Sequence, residues 1–277
     1  MNQRTILITG CSSGIGLDAA RTLTKRNWRV FATCRQEKDC ERLRKEGLES
    51  FVLDYSHSTS VTEGANRALE LSDGKLDALF NNGAYAIPGL VEDIPRGALR
   101  AIFETNLFGQ FELINLLLPG MRENGQGRII NCSSVLGFAA MPYRGAYNAS
   151  KFAMEGLSDT LRLELSDTSI EVILIEPGPI NTQIRENSIP HFEQWIDWDK
   201  SAQKERYENE LRPRLYHPSD KKDRFELPPS AVTEKLIHAL ESSKPKPRYH
   251  ITTPTRIAGI LKRLLSTRAL DKVLLKS

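Results

Sequence analysis

The sequence predicts an α/β fold: a single-domain, doubly wound parallel sheet of the Rossmann type, with helices on both faces. Three observations lead there. Short runs rich in β-branched and aliphatic residues alternate along the chain with segments of helical spacing. Those runs are apolar on both faces, as strands covered on both sides are. The first run ends in a cluster of glycines that opens a helix, the arrangement of a dinucleotide-binding turn.

Taken in order, residues 5–9 form a short β-rich run that meets Gly10-Cys11-Ser12-Ser13-Gly14-Ile15-Gly16. A helix follows, with Ile15, Ala19 and Leu23 on one face. Residues 29–33 make the second strand, a charged helix runs through Glu46, and residues 50–53 make the third strand. Further strands are expected at 77–80, 127–132, 170–175 and 248–252, and helices near 58–72, 96–124, 146–166 and 229–243. Strand and helix alternating in this way argue a parallel sheet with crossover helices. No internal repeat or linker divides the chain, so residues 1–277 read as one domain.

Composition removes several classes. With 26% charged residues and 40% apolar, the chain is neither disordered nor collagen-like. The net charge of +3, from 38 basic and 35 acidic residues, gives no strong field toward nucleic acid. Cys11, Cys34, Cys40 and Cys132 lack the spacing of a metal site or a disulfide framework, so free thiols, no bound metal and a cytoplasmic location are expected. No apolar run is long enough for a signal peptide or a membrane span.

The glycine turn carries the first functional reading. Glycine permits backbone angles and close approach that a Cβ would block. The helix N-terminus behind it offers unpaired N–H groups to a pyrophosphate. The second strand then ends at Thr33-Cys34-Arg35, where a cofactor with two free ribose hydroxyls wants an acid. Arg35 instead offers a fork suited to a 2′-phosphate, and Ser12 adds a hydroxyl, so NADP(H) is favoured over NAD(H).

Tyr147-Asn148-Ala149-Ser150-Lys151 opens a helical segment, which puts Tyr147 and Lys151 one turn apart on one face. A phenol titrates near 10 when unperturbed, and a nearby ammonium lowers that value, making Tyr147 usable for proton transfer. Ser134 lies at the end of the fifth strand, where open α/β sheets place their ligand crevice. Its hydroxyl is positioned to hold a substrate oxygen while Tyr147 moves the proton.

With these motifs together, the chain resembles the short-chain dehydrogenase/reductase family over residues 4 to about 182. The resemblance implies a cofactor motif at Gly10, Ser12, Ser13, Gly14, Ile15 and Gly16, and an adenine contact from Asp54. Asn82 and Gly83 lie in a stretch, Asn81-Asn82-Gly83-Ala84, where the family reads Asn-Asn-Ala-Gly; this inversion is expected to alter local backbone angles. It further implies catalysis by Ser134, Tyr147 and Lys151, with Asn106 supporting a proton relay to the lysine. Lys151 would also bind the nicotinamide ribose, and Pro177, Gly178, Ile180 and Thr182 would lie beside the nicotinamide. Cys11-Ser12-Ser13, Arg35 and Lys246-Pro247-Arg248-Tyr249 resemble the branch that holds 17-beta-hydroxysteroid dehydrogenase type 1, retinol dehydrogenases and bacterial NADP-dependent aldehyde reductases.

Two segments stand outside that pattern. Residues 183–227 are highly charged, with His191, Phe192, Trp195, Trp198, Tyr207 and Tyr216 spaced through them. A connection this long is expected to be a substrate loop or lid, against a surface excursion that the aromatics merely pin. Residues 256–276 repeat apolar positions at helical spacing among six cations and one acid, Asp271. That segment is expected to pack on the sheet edge or a second subunit, with weak contact to a membrane surface as the alternative. The function expected is NADP(H)-dependent interconversion of an apolar aldehyde or ketone and its alcohol, in a homodimer or homotetramer. A retinol- or hydroxysteroid-type dehydrogenase and an NADP(H)-sensing regulatory protein are the alternatives.

Overall fold

The computed structural model describes residues 3–217 and 225–275; part of the 183–227 insertion and Lys276 lie outside them. Seven parallel strands form one sheet in the order β3-β2-β1-β4-β5-β6-β7. They are β1 (Thr5–Ile8), β2 (Arg29–Cys34), β3 (Glu49–Val52), β4 (Ala78–Asn81), β5 (Gly127–Cys132), β6 (Ile170–Glu176) and β7 (Arg248–His250). Ile6, Leu7 and Ile8 are fully buried, as are Leu79, Phe80, Ile130 and Ile173, because helices cover both faces. On one face α1 (Gly14–Lys25), α2 (Glu37–Lys45) and α10 (Ser230–Glu241) enclose a core that includes Leu23, Leu43 and Leu236. On the other, α3 (Ser58–Leu71), α5 (Gly109–Glu123) and α6 (Gly145–Glu164) enclose one with Val61, Leu113, Leu117 and Leu161.

Winding reverses between β1 and β4, so the loops after these two strands part and leave a crevice at the strands' C-terminal ends. The expected helix over 96–124 is one helical run with an interruption. α4 (Arg96–Phe103) passes through a π-turn at Glu104–Phe108 into α5. Such turns are common at functional sites, and this one holds Asn106.

The insertion after β6 is built of short helices rather than open loop: α7 (Ile189–Trp195), α8 (Lys204–Arg206) and α9 (Arg212–Tyr216). Phe192 and Tyr207 are fully buried. Tyr207 accepts from the Leu90 N–H (2.9 Å) and donates to Asp93 Oδ2 (2.7 Å), and Tyr143 donates to Glu210 Oε2 (2.8 Å). The aromatics therefore do pin the segment, and they pin it over Tyr147, which shares their apolar cluster.

The tail forms α11 (Thr253–Leu264) and α12 (Thr267–Leu274). The apolar stripe is covered only in part, with Leu261, Leu265 and Leu270 half-buried. α11 turns its small residues to the body, with Thr255 buried and Gly259 too close to His250 to carry a Cβ. Ile257, Ile260, Leu264, Val273 and Leu275 are left exposed. Among the described residues, no helix is long and apolar enough to cross a membrane.

Candidate active site

The glycine turn sits directly after β1 and faces the loop after β4. Gly10 has φ +69°, and a Cβ there would lie 2.7 Å from the Gly83 Cα. A Cβ on Gly16 would lie 2.4 Å from the Gly10 carbonyl oxygen, so the turn closes only without one. Asn82 holds the turn's shape: its Nδ2 donates to the carbonyls of Thr9 (3.0 Å) and Gly10 (3.3 Å). Ser13 caps α1 in an extended conformation, yet its hydroxyl makes no capping bond, leaving the first N–H groups of α1 for an anion. Gly14 (φ +56°) approaches Thr182, which carries the loop after β6 across to the turn. Ile15 is half-buried against the core. A backbone cradle and a free helix N-terminus fit a dinucleotide pyrophosphate.

The Gly83-Ala84 inversion leaves the backbone ordinary, since Gly83 is not in the left-handed region. It matters for space instead. A Cβ at Gly83 would come within 3.3 Å of the Tyr55 ring, and Tyr55 runs beneath the turn to bond Asn81 Oδ1 (2.5 Å) and Thr9 Oγ1 (2.9 Å). The small residue accommodates that large one.

Arg35 is exposed just past β2. Its charge acts on Tyr85 and His191, whose rings stack at 4.1 Å, so the insertion reaches the crevice here. Asp54, past β3, accepts through Oδ1 from the Ser56 N–H (2.9 Å) and hydroxyl (2.7 Å). Sequence reasoning missed Arg42 of α2, which donates to the Ser12 carbonyl (2.6 Å) and fixes the turn from behind. A charged residue on a charged helix gives no signal of that contact.

Tyr147 and Lys151 follow one another on the buried face of α6. Lys151 is 1% exposed, and its Nζ donates to the Cys132 carbonyl (2.7 Å) at the end of β5. Burial pushes the ammonium down to about 8, against the Cys132 and Glu155 charges. Ser134 follows β5 by two residues, accepts from the Leu136 N–H (3.1 Å) and points its hydroxyl toward the Pro177 carbonyl (3.5 Å). The loops after β5 and β6 are sewn together here, Val135 N–H to Pro177 O (2.8 Å). Gly178 lies hard against Thr252, and Ile180 bridges to Leu227.

The expected lowering of the Tyr147 phenol is not what the structure gives. Burial raises it, as does Cys132, against a hydrogen bond from Ser134 and the Arg144 guanidinium. Lys151 is aimed at a carbonyl, with its Nζ 5.8 Å from the Tyr147 ring centroid. Arg144, not singled out from the sequence, is thus the cation that acts on the phenol. Asn106 is fully buried; it bonds the Tyr85 N–H (3.1 Å), Tyr85 O (2.9 Å) and Ser150 Oγ (3.2 Å), and Ser150 donates to Tyr147 O (2.9 Å). Its side chain braces the β4 loop against α6 and makes no bond to Lys151.

A family model described as short chain dehydrogenase matches residues 4–192. The chain belongs to that family of oxidoreductases. It is 40% identical over 272 residues to the uncharacterized oxidoreductase YbbO of Escherichia coli K12, covering 98% of this chain and 94% of that one. To human 17-beta-hydroxysteroid dehydrogenase type 1 it is 31% identical over 264 residues, 91% of this chain and 78% of that one. The crystal structure of a short-chain dehydrogenase from Streptomyces avermitilis superposes with a TM-score of 0.76 at 25% identity, covering 100% of this chain and 97% of that one.

Proposed function

We propose that this oxidoreductase reduces an aldehyde or ketone with NADPH, reversibly toward the alcohol. One observation carries the reading: Ser134, Tyr147 and Lys151 gather at the C-terminal ends of β5 and β6, beside the glycine cradle. The bound nicotinamide supplies the hydride. Ser134 and Tyr147 hold the substrate oxygen, and Tyr147 gives it a proton. Burial raises the phenol, so Tyr147 carries the proton that reduction requires. Lys151, held by the Cys132 carbonyl, would bind the nicotinamide ribose. The helices α7–α9 roof the tyrosine and shut water from an apolar substrate. The names of relatives bring steroid or retinoid alcohols to the same site as the alternative substrates. We place the enzyme in the cytoplasm as a homodimer or homotetramer. The exposed apolar face of α11 and α12 is offered to a second copy, with sedimentation as its check, or to anionic lipid, with flotation as its check.

NADP(H) is chosen over NAD(H) on Arg35 at the end of β2. Arg35→Gln is expected to lower kcat/KM for NADPH by about 10- to 100-fold, the worth of charge-assisted bonds to a phosphate, with a smaller effect on NADH. If both cofactors fall together, Arg35 does not read the 2′-phosphate.

The reaction's pH dependence follows Lys151. The ammonium is charged below its value of about 8 and neutral above it. Reduction is expected to be level below that pH and to fall about tenfold per unit above it. In Lys151→Arg, which stays charged, the falling limb should vanish from the kcat/KM profile. A limb unmoved in that variant assigns the titration to another group.

A further inference from the structure

The chain's positive charge gathers at α11 and α12. Residues 253–275 carry Arg256, Lys262, Arg263, Arg268 and Lys272 against one acid, Asp271, an excess of four in a chain whose net charge is +3. All five cations are exposed. Lys262 Nζ lies 4.8 Å from the ring centroid of Phe152, an aromatic of α6 that is itself exposed.

These helices give the body little of their apolar surface. Thr255 is the one buried residue of α11, and α12 has none. α11 is seated through Thr255 and Gly259, one turn apart, and a Cβ on Gly259 would lie 2.8 Å from the His250 ring. Opposite that seat, Ile257, Ile260, Leu261 and Leu264 form a stripe at i, i+3, i+4 and i+7 spacing. Ile257, Ile260 and Leu264 are 49%, 57% and 76% exposed, and Val273 of α12 is 42% exposed. Arg256 and Arg263, seven residues apart, run along one flank of the stripe. Helices of 12 and 8 residues are marginal alone in water, and an apolar stripe turned away from the body calls for a partner.

Charge selects that partner. A two-fold contact with a second copy matches the surface with itself, so the cations of one copy would meet those of the other with one acid apiece between them. An anionic lipid surface answers both features at once. Its phosphates meet the basic side chains while the stripe enters the acyl boundary, and the stems of lysine and arginine lie along apolar surface with the charge at headgroup level. We infer that α11 and α12 seat the protein on an anionic membrane surface, lying in its plane without crossing it. The seat adjoins the active site. Thr252 caps α11, and its hydroxyl stands hard against Gly178 in the loop after β6. The inference does not depend on the carbonyl-reductase reading, but it sets the active-site loops beside the phase in which apolar carbonyls dissolve.

The test is flotation of the full chain with vesicles of phosphatidylcholine alone and of phosphatidylcholine mixed with phosphatidylglycerol. At low salt the anionic vesicles are expected to carry at least about tenfold more protein than the neutral ones, with the ratio falling as salt rises. Ile260→Ser combined with Leu264→Ser, both at exposed positions, should lower binding by about tenfold or more. Arg263→Gln combined with Lys272→Gln should lower it as well and flatten its salt dependence. Sedimentation without lipid should give one mass for both variants and the unaltered protein. No flotation, equal flotation with both vesicles, or binding that either double variant leaves intact overturns the inference. A lower oligomeric state in the Ile260→Ser, Leu264→Ser variant assigns the face to a second copy and overturns it too. The assay reads no turnover, so its failure leaves the carbonyl-reductase reading standing, and failure of that reading leaves the membrane seat standing.

Discussion

Tyr147→Phe is expected to lower kcat by about 10²- to 10⁴-fold, the usual contribution of a positioned acid–base group. The ring stays, and it is the ring that fills the apolar cluster under α7–α9, where Tyr147 is 8% exposed. Beyond its bond with Ser134, the hydroxyl takes no part in the bonds that shape the surroundings. Lys151 holds the Cys132 carbonyl, and Asn106 reaches the Tyr147 backbone through Ser150. NADPH binding, followed by fluorescence titration, should therefore change by less than about twofold while absorbance-monitored turnover collapses. Turnover close to that of the unaltered protein would show that another group supplies the proton. Tight NADPH binding with no turnover before or after the change, across a broad carbonyl set, would favour the regulatory alternative.

Much of this arrangement is legible in the sequence because it depends on local chemistry. The alternation of strand and helix gives the sheet, and the turn at Gly10–Gly16 needs residues that only glycine supplies. The Tyr147–Lys151 pair depends only on helical spacing. What escapes has its cause at long range. The π-turn around Asn106 changes the helix by one residue, too little to disturb an apolar period. The insertion's short helices depend on partners far away in the chain, such as Asp93 for Tyr207 and Tyr143 for Glu210. The tail's amphipathic pattern was plain, but a pattern does not say which side meets the body, and here Thr255 and Gly259 take it. Arg144 reads as one more arginine until the fold sets its charge to act on the Tyr147 phenol. The Gly83 inversion makes sense only once Tyr55 is seen lying against it.

Arg248→Met is expected to destabilise the protein by about 3–5 kcal/mol, the usual cost of removing one partner from a buried ion pair. Arg248 on β7 donates to Glu155 of α6, to Glu176 Oε1 at the end of β6 (2.5 Å) and to Asp159 of α6 (2.6 Å). Glu176 is fully buried and Glu155 nearly so, so the variant leaves two carboxylates facing each other with only His250 Nε2, 2.7 Å from Glu176 Oε2, in place of their arginine. Burial pushes Glu176 up to about 7, and Glu155 adds to it, against the pull of Arg248. A carboxyl raised above its ordinary 4.5 contributes stability that is present below that pH and is lost as pH rises through about 7. Removing the arginine raises the pair further, so the variant's deficit should be greater at pH 8 than at pH 5. Urea denaturation at the two pH values measures this, and equal deficits would assign the loss to packing of the arginine stem. The consequence reaches the active site, because both acids adjoin it in the chain. Glu155 stands one helical turn beyond Lys151, and Glu176 leads directly into the Pro177–Thr182 loop that closes over the glycine turn. A variant that remains folded at pH 5 should therefore lose NADPH affinity on being brought to pH 8, in parallel with its stability.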